Sequence, residues 1–497
     1  MSFRDLRGFL DFLEKRGELV RVGEKVSPVL EITEIHSRLV KTGGPAVVFE
    51  KVVNEYGCSN VPVVVNLYGT VERVSYGLGI ERSGLRDIGR LLAFLKMPTP
   101  PESFRDLLGM FPLLRNMVSA RTTVVKKARC HEVIMAEDDV DLRKFPIQTC
   151  WPGDVAPLIT WPIVVTRGPT GAREDNFNLG VYRIQVVSGN TAIMRWLRHR
   201  GGAQQYSRWV KDGKGDFPVA VVLGTDPATT IAAVTPVPET LSEYQFAGIL
   251  RKKPTELVNC VTVPLRVPAN AEIVLEGFVS ASEFLDEGPY GDHTGYYNSV
   301  EKFPKFVIKA VTMRNSPMYH STFTGRPPDE CSVLGEALNE IIIPMMISQY
   351  PEIVDFWLPP EGCSYRVAIV SIRKGYPGHA RRVVMGVLSF LRQFMYVKFV
   401  IVVDDDICVR DWKDVIWAIS TRMDPSRDIM YIEDAPIDYL DFASSETGLG
   451  SKVGFDATNK IYPETKREWG VKIGMSKEII DKVTARWEQY GFEEKRS

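Results

Sequence analysis

The sequence predicts a three-part protein in which a strand-rich central region separates two α/β regions. Up to about residue 120, short apolar runs such as PAVVFE and NVPVVVNLYG alternate with helical stretches such as DIGRLLAFLK. From about 121 to 325, strand candidates follow one another through tight turns, which indicates a barrel or sandwich-like sheet. After residue 330, buried strands alternate with helices, a pattern typical of a doubly wound parallel sheet. We therefore expect an α/β domain over 1–120, a β domain over 121–325, an α/β domain over 326–470 and a terminal helix over 471–497.

The chain opens with an amphipathic helix. Its apolar residues Leu6, Phe9, Leu10 and Leu13 fall on one helical face, and Ser2 is a suitable N-cap. The proline-rich segment KMPTPPES precedes the last helical segment of this region.

The central region contains one clear hairpin signal. The strands YRIQVV and TAIMRW flank Ser188-Gly189-Asn190, a three-residue turn. A single helix, from about Leu241 to Arg251, is expected to interrupt the strands, with Thr240 or Ser242 at its start. The other predicted strands are FPVAVVLG, AEIVLEGFV, KFVIKAVTM and PMYHSTFTG.

In the C-terminal region, CSYRVAIVSI, VKFVIVVDDDI and DIMYIED are predicted strands, and GHARRVVMGVLSFLRQF and DWKDVIWAISTRM are predicted helices. The tail from about residue 475 has the pattern of an amphipathic helix that can reach a neighbouring subunit. It therefore predicts a homo-oligomer, a dimer or a hexamer.

Composition excludes several classes of protein. Lys and Arg number 61 against 62 Asp and Glu, so nothing in the net charge suggests a nucleic-acid partner. Seven cysteines without a C-x-x-C pair favour a reducing cytoplasm and argue against a structural zinc site. The N-terminus lacks a signal-peptide pattern, and no apolar run approaches the roughly 18 residues of a membrane span, so none is expected. Composition leaves a peripheral membrane contact open.

The segment Glu287-Gly-Pro-Tyr-Gly-Asp292 carries two carboxylates across two glycines and a proline, which favour a tight, pre-shaped loop. Close carboxylates resist double ionisation, so we expect one of them to hold a proton near neutral pH. A polar surface turn is the alternative interpretation. His199, His293 and His320 show no metal-ligand spacing and are typical of structural histidines. His293 is the exception that we retain as a candidate, because it follows Asp292 directly.

Two further groups of residues carry candidate chemistry. Asn178 offers a carbonyl oxygen to a hard cation and Arg183 a planar fork to a carboxylate, while Arg195, Arg198 and Arg200 precede paired glycines that can cradle a phosphate. A solvated basic hairpin edge is the alternative for these arginines. Glu243 lies in the first turn of its helix, where it complements the helix dipole. If Asn178 lies nearby, the two oxygens and a ligand phosphate suit Mg²⁺ or Mn²⁺.

Asp404, Asp405 and Asp406 follow a buried strand, the position where α/β proteins hold metals for phosphoryl or glycosyl transfer. This position allows a metal-dependent transferase, although acids there also serve as plain turn and helix caps.

Long ordered segments over roughly residues 140 to 465 have a recognisable pattern. They include NLGVYRIQ, IMRWLRHRGGA, VTPVPETLSEYQFAG, EGPYGDHTGYY, HSTFTGRPPDE, PEIVDFWLPPEGCSYR, SFLRQFMYVKFVIVVDDD and DYLDFASSETGLGSKVGFDATNK. These segments resemble the UbiD family of prenylated-flavin-dependent decarboxylases and look closest to the branch that includes 3-polyprenyl-4-hydroxybenzoate carboxy-lyase. The resemblance implies an N-terminal α/β domain, a central flavin-reductase-like split β-barrel and a C-terminal α/β domain.

The resemblance also implies roles for individual residues. Arg183, Glu287 and Asp292 match the catalytic trio of the family, with Asp292 as the proton donor. Asn178 and Glu243 match its ligands for Mn²⁺ or Mg²⁺, and His199 is the nearest candidate for a third ligand. The positions that match its cofactor-binding segments are Asn178, Val181, Tyr182, Arg183, Arg195, Trp196, Leu197, Arg200, Gly201 and Lys452. Carbonyls near Leu179, Ala232, Ala233 and Thr235 match a K⁺ site.

The activity implied is the non-oxidative decarboxylation of an aromatic acid, with 3-polyprenyl-4-hydroxybenzoate of ubiquinone synthesis as the leading substrate. Prenylated FMN supplies the electron sink that side chains lack, so a flavin prenyltransferase is an expected partner. Three alternatives stay open: another phenolic or naphthoic acid as substrate, a flavin-binding protein without turnover, and the transferase that uses Asp404 to Asp406.

Overall fold

The computed structural model describes residues 2–96, 118–168, 177–198, 200–238, 241–363, 365–390 and 392–492. His199, Thr240 and the helical segment expected after KMPTPPES lie outside these ranges. The described residues form four sheets, of five, nine, three and five strands.

The N-terminal part is an α/β unit, as its alternating pattern predicts. Helix α1 begins at Leu6 and buries Leu6, Phe9, Leu10 and Leu13, the predicted face. Its N-cap is Asp5 rather than Ser2, because the helix begins four residues after Ser2 and the Asp5 carboxylate accepts from the Gly8 N–H. The elements are α1 Leu6–Lys15, β1 Leu19–Val26, α2 Glu31–Thr42, β2 Ala46–Asn54, β3 Gly57–Ser59, β4 Val63–Val65, α3 Val71–Gly77 and α4 Leu85–Lys96.

The central part is built around a curled nine-stranded sheet. Its strands are β6 Val133–Ala136, β7 Leu158–Ile159, β8 Ile163–Arg167, β9 Phe177–Val181, β10 Ile184–Val186, β11 Thr191–Met194, β12 Phe217–Leu223, β15 Ile273–Glu287 and β16 Glu301–Met313. Their order is β7-β10-β11-β16-β15-β12-β8-β9, with β6 added to β16. All strand pairs within it are antiparallel, and the sheet remains open between β7 and β9. It is therefore a split barrel.

The predicted hairpin is present, because β10 and β11 pair with Ile184 opposite Met194. The expectation of a single helix in this region is wrong: helices α5 Gly201–Lys211 and α6 Pro227–Val234 precede α7 Glu243–Arg251. Helix α5 begins with two glycines, and paired glycines in a sequence indicate a loop, which is why this helix was not predicted. Helix α7 begins after Ser242, which forms a capping box with Gln245. A separate three-stranded sheet contains β5 Thr122–Val124, β13 Thr255–Asn259 and β14 Arg266–Pro268.

One predicted central strand belongs to another sheet. Within PMYHSTFTG, only β17 Tyr319–His320 is a strand, and it pairs in parallel with β4 of the N-terminal sheet. The order of that sheet is β1-β2-β4-β17, with β3 beside β2. Domain boundaries therefore stay a prediction, since the chain returns to the first sheet just before residue 325.

The C-terminal sheet is mixed rather than fully parallel. Its order is β18-β19-β20-β22-β21, and only the pairs β19–β20 and β20–β22 are parallel. Helices α9 and α10 cover opposite faces, because alternate residues of β20 pack against each of them. The elements are β18 Ile353–Trp357, β19 Val367–Ile372, α9 His379–Phe390, β20 Phe399–Asp404, α10 Trp412–Arg422, α11 Pro425–Asp428, β21 Ile429–Pro436 and β22 Leu449–Ala457.

Helix α8, Glu330–Gln349, joins the N-terminal and C-terminal parts. Leu334 and Ile341 pack in the core around α1, α3 and α4, whereas Ile342 and Met346 pack in the core of the C-terminal sheet. Among the described residues, it is the one helix long and apolar enough to span a membrane, and 61% of its apolar window is buried in the protein. Its hydropathy is therefore that of a core helix.

The tail ends in helix α12, Lys477–Thr484, which lies in the predicted amphipathic segment and buries none of its residues. Ile480 and Trp487 are half-exposed, and Val471 and Ile473 are almost fully exposed. An apolar surface thus remains uncovered in the isolated chain.

Candidate active site

A cleft between the split barrel and the C-terminal part contains the predicted site. A cavity of about 580 Å³ and a cavity of about 310 Å³ adjoin each other there and share lining residues. The shared residues are Trp161, Val181, Tyr182, Arg200, Cys331, Tyr365 and Tyr396. The larger cavity also contains Asn178, Gly201 and Glu243, and the smaller one contains Arg183, Leu197 and Asp292.

Arg183 lies between the two carboxylates of the predicted loop. Its Nε and Nη2 donate to Glu287 Oε1 and Oε2 at 2.8 and 3.1 Å, and its Nη1 donates to Asp292 Oδ2 at 2.6 Å. Glu287 ends β15 and is fully buried, while Asp292 and the Arg183 side chain are largely buried. Buried charges persist only when they are paired in this way. The structure therefore brings together the three residues of the predicted trio.

The loop between β15 and β16, residues 288–300, is held by its own hydrogen bonds. The Tyr290 N–H donates to Asn298 Oδ1, and the Asp292 N–H donates to the Tyr296 carbonyl. The Gly291 N–H donates to Asp154, and a Cβ at position 291 would lie 2.2 Å from the Trp151 ring. Glycine is thus required for the close approach, and the loop is a pre-shaped one rather than a free surface turn.

The surroundings of Asp292 lower its pKa, so the expectation that one carboxylate of the loop holds a proton near neutral pH stays a prediction. Burial raises its pKa, but the hydrogen bond from His293 and the charge of Arg183 outweigh burial and lower the pKa well below its ordinary value. Burial lowers the pKa of Arg183, and the charges of Asp292 and Glu287 raise it further than burial lowers it. The hydrogen bond from His293 and the charge of Arg183 therefore both favour the anionic form of Asp292.

His293 connects this trio to the C-terminal part. Its Nδ1 lies 2.9 Å from Asp292 Oδ1, and its Nε2 lies 3.1 Å from Asp438 Oδ2. Arg366 donates to the same Asp438 oxygen at 3.1 Å. The chain Asp292–His293–Asp438–Arg366 therefore crosses the cleft.

Arg195 is directed toward the trio rather than toward a phosphate cradle. Its Nε lies 3.3 Å from Glu287 Oε2, and its guanidinium carbon lies 4.9 Å from the ring centre of Tyr439, whose hydroxyl accepts a hydrogen bond from Nη2. Arg198 is exposed, whereas Arg200 lines both cavities and serves as the N-cap of α5. Trp196 packs in the barrel core against Tyr206.

The larger cavity has the features of a site for a cation and a phosphate. Asn178 and Glu243 both line it, and Glu243 Oε2 accepts from the Leu179 N–H at 3.1 Å. Burial raises the pKa of Glu243 to about 7, so a bound cation would offset the cost of ionising it. A Cβ at Gly201 would lie 2.1 Å from Asn178 Oδ1, so glycine lets the start of α5 approach Asn178. The Gly202 N–H donates to the Tyr182 hydroxyl at 3.1 Å, and the N-terminal end of the helix faces the same cavity as Asn178 and Glu243.

These residues fit the phosphate end of a flavin together with a divalent cation. No group of three His, Cys, Asp or Glu side chains with metal-site geometry occurs in the described ranges, so the third ligand stays unassigned. The potassium candidates Leu179, Ala233 and Thr235 lie along the same cavity. Ala232 is buried one residue away, and its carbonyl accepts from the Thr235 N–H.

Two predicted features lie away from the cavities. Lys452 is buried on β22, and its Nζ donates to the carbonyls of Met395 and Val397 at 2.6 Å each. Burial lowers its pKa to about 8. The carboxylates of Asp404 and Asp406 both accept hydrogen bonds from Arg422, and Lys472 also binds Asp406. These two acids therefore form an ion-pair network, which favours the structural interpretation over a transferase site.

Sequence reasoning missed the C-terminal side of the cleft. Tyr365, Arg366, Asp438 and Tyr439 line the smaller cavity although they lie more than 50 residues beyond Asp292. Tyr365 and Arg366 end the segment PEIVDFWLPPEGCSYR, and Asp438 and Tyr439 begin the segment DYLDFASSETGLG. Both segments carry the family resemblance, which is the feature of the sequence that could have identified these residues.

Family models match three parts of the chain. They are described as the N-terminal, Rift-related and C-terminal domains of 3-octaprenyl-4-hydroxybenzoate carboxy-lyase, and they match residues 10–92, 122–327 and 332–457. The three matches cover most of the sequence and include every residue of the trio.

Solved structures of similar proteins match almost the whole chain. The UbiD-class enzyme HmfF from Pelotomaculum thermopropionicum, in complex with FMN, is 29% identical, with 94% of this chain and 97% of that chain covered and a TM-score of 0.78. An evolved dimeric form of HmfF, in complex with prenylated FMN, is 28% identical, with 95% and 97% covered and a TM-score of 0.77.

The closed form of vanillic acid decarboxylase from Sedimentibacter hydroxybenzoicus is 28% identical, with 99% of this chain and 98% of that chain covered and a TM-score of 0.81. The similarity thus includes all three parts of the fold and the cleft between them. The chain belongs to the UbiD family of prenylated-FMN-dependent aromatic acid decarboxylases.

Proposed function

We propose that this enzyme decarboxylates a small phenolic acid, such as 4-hydroxybenzoate or a ring-substituted relative. The observation that carries the proposal is the smaller cavity, about 310 Å³, which contains Arg183 and Asp292 on one wall and Tyr365, Tyr396 and Tyr439 on the other. This volume is at the lower end for small-molecule sites and suits a single aromatic ring. The polyprenyl acid of ubiquinone synthesis stays a prediction, since its long tail would have to leave this cavity.

Prenylated FMN would lie in the larger cavity. Its phosphate would be held by the N-terminus of α5, by Arg200, and by Mn²⁺ or Mg²⁺ on Asn178 and Glu243, with a K⁺ ion at the neighbouring carbonyls. When bound, the prenylated flavin supplies the electron sink that an aromatic decarboxylation needs and that protein side chains lack. A flavin prenyltransferase is the expected supplier of this cofactor.

The residues of the trio divide the remaining work. Arg183 and Glu287 form a fixed ion pair on the flavin side of the smaller cavity, and Asp292 delivers the proton to the carbon that loses CO₂. Enclosing the substrate between the two walls of the cleft would exclude water from its carboxylate.

The unpaired state of all seven cysteines suits the reducing cytoplasm expected from the sequence. A homo-oligomer, and a peripheral membrane contact, stay predictions.

The test is a substrate panel on enzyme produced with and without a flavin prenyltransferase. We expect CO₂ release from 4-hydroxybenzoate or vanillate, and none from the protein loaded with plain FMN. 2-Naphthoate and 3-prenyl-4-hydroxybenzoate test the alternatives. If the enzyme turned over only the prenylated acid, the ubiquinone-type substrate would replace the small phenolic acid as the conclusion. Full activity with plain FMN would contradict the proposed cofactor.

A further inference from the structure

The imidazole of His293 contacts a carboxylate through each of its nitrogens. Nδ1 faces Asp292 at 2.9 Å and Nε2 faces Asp438 at 3.1 Å. Asp292 lies in the 288–300 loop of the split barrel, whereas Asp438 lies between β21 and β22 of the C-terminal sheet. One ring therefore bridges two parts of the chain that form opposite walls of the cleft.

This arrangement determines how many protons the ring carries. A carboxylate only accepts hydrogen bonds when ionised, so each contact requires an N–H, and a neutral imidazole has only one. The charged groups that face the ring are Asp292 on its own loop, Asp438, Arg183, Arg366 and Asp329. Burial lowers the pKa of His293, but the hydrogen bonds to Asp292 and Asp438 outweigh burial and raise it to about 9.

We propose that His293 is the proton source for Asp292, and that Asp438 keeps His293 charged when the C-terminal part closes on the barrel. The inference rests on the proposed decarboxylation and names the residues that supply its proton. His293 acts through Asp292 and is a positioning residue for that carboxyl group.

The proton and electron balance follows from this geometry. The Nδ1–H bond breaks as an Oδ1–H bond forms on Asp292, leaving a neutral ring that still donates from Nε2 to Asp438. The Asp292 O–H bond then breaks as a C–H bond forms at the ring carbon, whose electron pair comes from the broken bond to the departing CO₂. His293 is partly exposed and regains a proton from solvent, so the sum is one acid anion plus one proton giving the arene and CO₂.

The Asp438 contact links the charge of His293 to the position of the C-terminal part. If the two walls of the cleft moved apart, His293 would lose one of its two acceptors, and the ring would become easier to deprotonate. The contact would therefore hold the proton on the ring when the cavity is enclosed.

The first test needs neither cofactor nor substrate. The chain has six histidines, so ¹⁵N-histidine labelling with a His293→Gln comparison identifies the His293 signal. We expect doubly protonated shifts for His293 at pH 7.5 in the wild type, and a titration midpoint at least one pH unit lower in Asp438→Asn. A neutral His293 at pH 7.5 in the wild type would overturn the proposal.

The second test uses the enzyme loaded with prenylated FMN. We expect kcat to fall at high pH in the wild type, and this falling limb to move at least one pH unit lower in Asp438→Asn. His293→Gln should lose about 10²-fold or more in kcat and lose the limb altogether. Asp441→Asn is the matched control, because Asp441 lies on the same segment and binds Lys398 instead of His293.

The outcomes separate this inference from the function on which it rests. A wild-type enzyme inactive on the whole substrate panel contradicts the proposed function, and the histidine spectra still report on the proton. An active wild type whose pH profile is unchanged in Asp438→Asn contradicts the role of Asp438. If His293→Gln does not fold, Asp438→Asn still tests the proposal through both the histidine titration midpoint and the pH profile of kcat.

Discussion

At the scale of single residues, the site is organised by Arg183. One guanidinium holds two carboxylates apart, and these carboxylates come from the end of a strand and from the loop that follows it. The spacing of the loop singled out the two acids, and the family resemblance joined them to Arg183 as a trio. It could not predict that Arg183 would bind Asp292, because the partners are 109 residues apart and the contact depends on how the curled sheet brings the β9–β10 connection to the loop after β15.

Replacing Asp292 by Asn should remove the final proton donor while keeping the shape of the loop. We expect kcat to fall by about 10²–10⁴-fold with flavin content unchanged, because an amide cannot deliver a proton as a carboxylic acid does. The measurements are steady-state rate, flavin absorbance and deuterium incorporation at the former carboxyl carbon. Glu287→Gln should also abolish turnover but alter the flavin spectrum, since Glu287 binds both Arg183 and Arg195. A wild-type rate in Asp292→Asn would exclude Asp292 as the donor.

At the scale of elements, helix α7 and strand β9 together form the candidate cation site. The Ser242–Gln245 capping box fixes the start of α7 and places Glu243 at its first position. A sequence pattern can predict this cap. The approach of Glu243 to the Leu179 N–H of β9 is a tertiary contact across 64 residues, and no local pattern encodes it.

Glu243→Gln should lose the divalent metal and the flavin in parallel. The charged ligand disappears, and a neutral amide cannot balance a divalent cation, so the cation that would hold the cofactor phosphate is lost. Metal analysis and flavin absorbance of the purified variant measure the two losses. Ser242→Ala is the control: it weakens the cap by about 0.5–2 kcal/mol but keeps the carboxylate, so both groups should remain bound. If Glu243→Gln lost the metal but kept its full flavin content, the expectation that metal and flavin bind together would be wrong.

Helices α2 and α8 meet at a buried histidine that should limit stability in acid. Burial lowers the pKa of His36 to about 3, below the ordinary value near 6.5, and His320 behaves in the same way. The unfolded chain then binds protons that the folded chain does not, so His36 and His320 should make the free energy of unfolding decrease as pH falls from about 6.5 toward 3. Burial raises the pKa of the neighbouring Glu330 to about 7, which acts in the opposite direction, so the comparison with a His36 variant isolates the histidine. Denaturant unfolding at a series of pH values should show a shallower decrease for His36→Gln. Equal slopes would contradict this assignment.

At the scale of the whole molecule, periodicity predicted the three-part fold but not the pairing of its strands. The strand DIMYIED has the same pattern in either direction, and the structure makes β21 antiparallel to β22. The two-residue strand β17 is too short to carry a pattern and joins the first sheet through backbone hydrogen bonds. Direction and sheet membership depend on distant partners, and this is why those predictions were wrong.

The uncovered apolar tail predicts self-association. Ile480 on α12 and Trp487 just after it are half-exposed, and an exposed apolar surface of this kind favours a protein contact. Light scattering should give a multiple of the 55.9 kDa chain mass, and Ile480→Asp should reduce it toward one chain. Lys477→Asp, at the start of the same helix, is the control for added negative charge and should leave the assembly intact. A monomeric wild type would contradict the expectation.

Helix α8 contributes to two cores at once, with Leu334 and Ile341 on one side and Ile342 and Met346 on the other. The C-terminal family match begins at residue 332, yet the helix that opens it completes the N-terminal core. Recombination between relatives at this junction would place one face of α8 against a core that differs from its own. We therefore expect the parts that α8 joins to be inherited together, because one helix completes both cores.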